Sequence, residues 1–268
     1  MPHTAPVAQH TPAKAFERLL EVLNTLRIAC PWDKKQTMES LRHLTIEETY
    51  ELADAILEGD VMEIKKELGD IMMHLVFYAR IAEEQQEFTI VEVLNSICDK
   101  LINRHPHIYG AVEVANEEDV KRNWEQLKLK EGNKSVLAGV PKSLPALVKA
   151  HRIQDKARGV GFDWEEKTQV WEKVEEELQE FKEAFDIAED KLTDIAQAEE
   201  EFGDLLFSLI NYARFLGINP ENALEKTNKK FIHRFNHLEQ RAKENGQQLQ
   251  DMTLNEMNVY WNEAKGLD

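Results

Sequence analysis

The sequence predicts an all-α protein made of two tandem, repeated helical bundles with no sheet, and three observations carry that prediction. Apolar residues recur at the three- and four-residue spacing of a helix face, as in Phe16, Leu19, Leu20, Leu23 and Leu26. No stretch alternates with the period of two that a half-buried strand requires. The third observation is a repeat: Glu47, Glu48, Glu51, Glu67 and Asp70 recur in order as Glu176, Glu177, Glu180, Glu201 and Asp204. An apolar run follows each set.

The repeat extends beyond the acids. Glu47 and Glu176 stand 129 positions apart and Asp70 and Asp204 stand 134 apart, so the second copy carries extra residues between its two acidic groups. Lys100 and Arg104 recur as Lys230 and Arg234, and Trp124 and Lys128 as Trp261 and Lys265. Three paired features in one order mark a duplicated unit. The chain therefore divides into a disordered tail over 1–12, a first helical domain over 13–128, a linker over 129–145 and a second helical domain over 146–268. Gly132, Gly139, Pro141 and Pro145 mark the linker.

Taken in order, the first helix starts at Ala13 and stops near Cys30-Pro31, since the residue before a proline is disfavoured in a helix. The next carries Glu47, Glu48 and Glu51 and ends at the turn Glu58-Gly59-Asp60. A helix from Val61 towards Ala82 carries Glu67 and Asp70, and one from Ile90 to Asn103 brings Lys100, with Arg104 and His105-Pro106-His107 at its end. The second copy opens with a helix around Leu147, Ala150, Ile153 and Gln154, then the loop Gly159-Val160-Gly161-Phe162-Asp163-Trp164 in the place of Cys30-Pro31-Trp32-Asp33. An acidic helix from Thr168 to Ala188, a core helix from Asp194 to Leu216, a helix from Pro220 to Glu244 and a short terminal helix holding Trp261 and Lys265 complete it. Gly217 is suited to stop a helix and Pro220 to start one.

Composition narrows the function. The formal charge of −17 argues against a nucleic acid polymer or an anionic membrane surface as partner. Two cysteines, Cys30 and Cys98, are too few for a disulfide framework, and no apolar segment reaches the roughly 20 residues of a membrane span. The N-terminal stretch also lacks the apolar core of a signal peptide, which makes the cytoplasm the expected compartment.

On a helix, residues three and four apart share a face, so each set gathers its carboxylates once two helices form a hairpin. Like charges so close are unfavourable alone, and a divalent cation reverses the sign. Carboxylates without cysteine or a repeated histidine suit Mg²⁺, with Mn²⁺ as the alternative. A di-iron site needs Glu-x-x-His pairs, and His74 is replaced by Ser208 in the second copy. Lys230 and Arg234, one turn apart, suit the phosphates of a substrate, and Lys265 adds to them. Trp261 either stacks on a base or packs internally. Gly69 and Gly203 sit at matching points inside helices, where glycine costs about 1 kcal/mol relative to alanine; close helix approach or ligand access would account for it.

These motifs, with Cys30-Pro31-Trp32-Asp33, Lys100-x-x-x-Arg104-His105-Pro106-His107 and Asn228-Lys229-Lys230-Phe231-Ile232-His233-Arg234-Phe235, resemble the MazG family of tandem-domain bacterial nucleoside triphosphate pyrophosphohydrolases. The resemblance covers the chain beyond the first dozen residues. The acidic motif alone also occurs in all-α pyrophosphatases for dUTP, dCTP and phosphoribosyl-ATP. The resemblance implies a homodimer that hydrolyses nucleoside triphosphates, with broad base tolerance, to the monophosphate and pyrophosphate.

It also implies site roles: Mg²⁺ held by Glu177, Glu180, Glu201 and Asp204, with Glu48, Glu51, Glu67 and Asp70 as first-copy equivalents, activates water for attack on the α-phosphorus. A second ion neutralises the pyrophosphate, and Glu176 or a neighbouring carboxylate takes the water's proton. Lys230, Arg234, Trp261 and Lys265 bind the nucleotide, with Lys100, Arg104, Trp124 and Lys128 in the matching first-copy places. A narrow dUTP or dCTP pyrophosphatase and a non-catalytic helical interaction module are the alternatives. The second copy is expected to carry most of the catalysis, because Lys229 stands beside Lys230 where the first copy has Asp99, and because the Gly159-Val160-Gly161 loop offers a ligand backbone amides where the first copy has Pro31, which lacks that donor.

Overall fold

The computed structural model describes residues 10–116, 119–120, 123–124, 127, 135–186, 191–192 and 195–267. Within these residues it forms ten helices, and the chain divides into two compact units, Met1–Glu113 and Val114–Asp268. The fold is all-α. The extended pairing among the described residues is a two-residue antiparallel ladder, Phe185 opposite Leu192 and Asp186 opposite Lys191.

In the first unit, α1 spans Pro12–Ala29, with Thr11 accepting from the Lys14 amide and proline in its first turn, where no amide is needed. Helix α2, Met38–Glu58, opens with a capping box between Thr37 and Ser40 and closes on Gly59, whose φ of 71° is the left-handed conformation that glycine adopts freely. Asp60 then accepts from the Met62 and Glu63 amides and starts α3, Val61–Glu84. Leu23 of α1, Leu41 of α2 and Val76, Phe77 and Ile81 of α3 form the buried core. Helix α4, Ile90–Arg104, follows a second capping box, and the short α5, Pro106–Tyr109, continues past the His105-Pro106 break.

The second unit repeats the plan as α6 (Ala146–Arg158), α7 (Lys167–Ala184), α8 (Ile195–Phe215), α9 (Pro220–Glu244) and α10 (Leu254–Lys265). Val170 and Val174 of α7, Leu205 and Ile210 of α8, Leu238 and Ala242 of α9 and Ala264 of α10 are buried. The ladder lies in the α7–α8 connection, so the residues added there relative to the first copy build a longer hairpin and leave the helices paired.

Two expectations meet the edge of the described residues: most of the N-terminal tail and residues 129–134 of the linker lie outside them. From Ser135 onward the linker folds upon α6, where buried Lys156 donates to the Val136 carbonyl at 3.1 Å. A Cβ at Gly139 would lie 3.3 Å from that ammonium. Two faces remain uncovered within their units. No described residue of α4 is buried, and Val91, Leu94, Ile97 and Leu101 are exposed on it; α9 likewise exposes Leu224, Phe231, Ile232 and Phe235.

Candidate active site

Hairpin geometry brings the acids together. Glu48 precedes the end of α2 by ten residues and Asp70 follows the start of α3 by nine, so at 1.5 Å per residue both lie about 15 Å from the Gly59-Asp60 turn. Carboxylate oxygens of Glu48, Glu67 and Asp70 lie within 4.8 Å of one another. In the second unit the same holds for Glu177, Glu180 and Glu201. Glu51 and Asp204 are exposed and stand outside these two groups of three. Glu176 is exposed and paired with Lys173 at 2.9 Å.

Burial sets the electrostatics of the first cluster. Glu67 has no exposed surface; its Oε1 accepts from Lys66 Nζ at 2.7 Å, while its buried Oε2 has no hydrogen-bond partner. Loss of solvent pushes the Glu48 carboxyl up to about 7, and the charges of Asp70, Glu51 and Glu67 add to it. The Lys66 ammonium holds Glu67 below the ordinary carboxylate range. Carboxylates crowded in this way favour a cation among them, and the all-oxygen donor set fits a hard one.

The second cluster shows the same tension. Glu177 is 6% exposed and its carboxylate lies 2.7 Å from Lys173 Nζ. Loss of solvent raises the Glu180 pKa, with Glu177 and Glu201 adding their charges. Hydrogen bonds to the acids keep both lysines charged, led by Glu63 for Lys66 and by Glu176 for Lys173. Sequence reasoning missed these two lysines. The signal was present in the Lys173–Glu177 spacing of four, but that spacing is common on solvated helix faces.

Below the first cluster, His74 is 3% exposed, and its Nδ1 lies 3.1 Å from Thr45 Oγ1, which also meets the Tyr78 hydroxyl at 2.7 Å. Burial lowers the His74 pKa against the opposing pull of the Asp70 charge, and the ring sits in the core as a hydrogen-bonded residue. The second copy has Val174 and Ser208 at the corresponding positions.

The cationic residues lie on separate helices. Lys230 is exposed on α9, and the half-buried Arg234 places its guanidinium 5.8 Å from the centre of the Trp261 ring on α10. Trp261 also packs against Phe231 at 5.0 Å, so its internal packing is real, and Lys265 is exposed at the end of α10. In the first copy, Lys100 is exposed and Arg104 half-buried on α4; Trp124 falls in the second unit, and Lys128 lies outside the described residues.

Gly69 and Gly203 correct one expectation. A Cβ at either position meets nothing within 4 Å, so close approach of another helix does not explain them. Ligand access remains. Gly203→Ala is therefore expected to stabilise the ligand-free protein by about 0.5–1 kcal/mol, while weakening nucleotide turnover. Thermal melting and steady-state assays together check this, and unchanged turnover with raised stability would remove the ligand reading of that glycine.

Comparison with known proteins finds the same repeat. The model of the MazG nucleotide pyrophosphohydrolase domain matches residues 36–109 and again 165–239, each match containing one acidic hairpin. The chain is 43% identical over 258 residues to the nucleoside triphosphate pyrophosphohydrolase/pyrophosphatase MazG of Thermotoga maritima, covering 94% of this chain and 96% of that protein. It is 40% identical over 257 residues to the nucleoside triphosphate pyrophosphohydrolase of Escherichia coli, covering 93% and 97%. Twice-matched acidic hairpins and near full-length similarity lead to one assignment: the chain belongs to the MazG nucleotide pyrophosphohydrolase family.

Proposed function

We infer that the chain is a nucleoside triphosphate pyrophosphohydrolase that cleaves its substrates to the monophosphate and pyrophosphate with Mg²⁺, which Mn²⁺ can replace. The observation that carries the chemistry is the convergence of three carboxylates in each hairpin around one that is almost fully buried. Such a site is built for a hard cation. When bound, the ion supplies charge neutralisation and a more acidic water for in-line attack on the α-phosphorus.

The chain's own residues do the rest. Glu177, Glu180 and Glu201 hold the ion, with Asp204 one turn beyond Glu201 as a further ligand. Glu176, at the exposed rim, or a neighbouring carboxylate accepts the proton of the attacking water. Lys230, Arg234 and Lys265 bind the β and γ phosphates, and Trp261 offers a ring face to the base. Stacking tolerates any base, which accounts for broad specificity.

Apolar faces of α4 and α9 support a homodimer, since a face of this kind is normally covered by further helices. No described helix is long and apolar enough to cross a membrane. With the charge of −17, that supports a cytoplasmic enzyme acting on free nucleotides.

The test is product analysis over the eight common ribo- and deoxyribonucleoside triphosphates with and without EDTA. Equal amounts of monophosphate and pyrophosphate, dependent on Mg²⁺ and seen with most bases, are expected. Diphosphate and orthophosphate instead would place attack at the γ-phosphorus and overturn the assignment. A single accepted base would favour the narrow dUTP or dCTP enzyme.

A further inference from the structure

The two lysines on the carboxylate clusters come from positions that do not correspond. Lys66 directly precedes Glu67 on α3, and its counterpart in the second copy is Glu200. Lys173 lies one turn before Glu177 on α7, and its counterpart in the first copy is Leu44. Each nevertheless brings an ammonium within 2.7 Å of the most buried carboxylate of its cluster. Each is steadied by a second acid, Glu63 at 2.6 Å and Glu176 at 2.9 Å. The duplicated unit thus reaches one arrangement by two routes.

We propose that Lys66 and Lys173 are tethered counterions of the metal-free clusters, so that a divalent ion enters only by displacing an ammonium. This rests on the metal role proposed above. An independent mark of the need for a cation is Glu67 Oε2, buried and without a hydrogen-bond partner beside the lysine-bound Oε1. A buried carboxylate with no compensation would destabilise the ligand-free hairpin. The lysines limit that cost. Their side chains are 57% and 37% exposed, so each ammonium has water to move into when the ion arrives. Lysine suits this role better than arginine, being a point charge on a flexible stem that forms no bidentate bond. The consequence is a site that stays folded without metal and binds the free ion weakly.

The experiment measures Mn²⁺ binding to the full chain without nucleotide, by electron paramagnetic resonance of the free ion. Lys66→Met and Lys173→Met are compared with the charge-preserving Lys66→Arg and Lys173→Arg. Lys34→Met serves as a control for net charge, since Lys34 is an exposed lysine in the turn after α1, outside both clusters. Each methionine variant is expected to tighten one class of site about tenfold, the order expected for removing a unit charge a few ångströms from a divalent ion. Lys34→Met should change affinity by less than about twofold, and the arginine variants, which keep the charge, should leave binding unchanged or weaker but not tighter. Unchanged or weaker binding in both methionine variants overturns the inference while leaving the metal reading intact. If Glu67→Gln and Glu177→Gln also bind Mn²⁺ as the parent does, the metal reading itself fails, and the inference with it.

Discussion

Glu201→Gln is expected to lower nucleotide turnover by on the order of a hundredfold or more, the loss typical of removing a charged ligand from a catalytic metal site. Glu67→Gln, its first-copy equivalent, is expected to cost at least tenfold less. The substitutions match in chemistry and in register, so their ratio compares the two hairpins directly. The second is favoured because the residues proposed to bind the nucleotide there lie within one unit, with Arg234 over Trp261 on neighbouring helices. Turnover and pyrophosphate release of both variants, measured beside the parent, decide the matter. Equal losses would mean that both hairpins work, and a larger loss for Glu67→Gln would move catalysis to the first.

One advantage that the sequence predicts for the second copy is absent from the structure. The amides of the Gly159-Val160-Gly161 loop are not open to a ligand. They are bonded to the Asp155, Ala157 and Arg158 carbonyls at 3.1, 3.2 and 2.9 Å. A helix end leaves carbonyls without partners, and these amides satisfy those of α6. The loop is therefore a helix cap. Sequence shows glycines but not which carbonyls will claim their neighbours' amides.

Most of the fold was legible because its determinants are local. Period, proline and glycine place α1 at Pro12–Ala29 and α9 at Pro220–Glu244, close to the expected limits. Thr37, Asp60, Thr89 and Asn219 cap their helices with their own side chains. The acidic clusters were legible for a similar reason, since two i, i+3 or i, i+4 sets on the paired helices of a hairpin are brought to one place. What the sequence could not show is rank within each set. Glu67 is buried and Glu51 exposed although both are glutamates at helical spacing, because rank depends on how one helix rotates against the other. The lysines were hidden likewise: a lysine beside glutamates is common, and only burial of the glutamate gives it a role.

Arg27 was also silent in the sequence, and replacing it is expected to have the largest effect on stability. Its guanidinium, 12% exposed, donates from Nη1 to the carbonyls of Asp33 and Gln36 and from Nε and Nη2 to Glu84, at 3.1 and 2.9 Å for the latter pair. It also lies 5.7 Å from the centre of the Phe77 ring in the core. One side chain thus fastens the Cys30–Asp33 loop to the end of α3. The second copy holds its matching loop from the other direction, with Arg214 of α8 gripping the Asp163 carboxylate through two bonds.

Arg27→Ala leaves two carbonyls and a carboxylate without that donor, although Arg80 Nε at 3.4 Å still faces Glu84. The expected cost is about 2–3 kcal/mol, below that of a fully buried pair because Glu84 is 33% exposed. The pH dependence has a definite sign. Arg27 holds the Glu84 pKa below its ordinary 4.5, so the pair's contribution is complete above pH 4.5 and is lost as pH falls through the lower folded value. The deficit of Arg27→Ala should therefore shrink in acid without vanishing, since the carbonyl bonds and the Phe77 contact do not titrate. Glu84→Gln should remove the titrating part alone. Hydrogen exchange of the α1 and α3 amides reads this locally, which matters in a chain of two units that need not unfold in one step. A deficit of the same size at both ends of the pH range would show that the Glu84 carboxylate contributes nothing to the clamp.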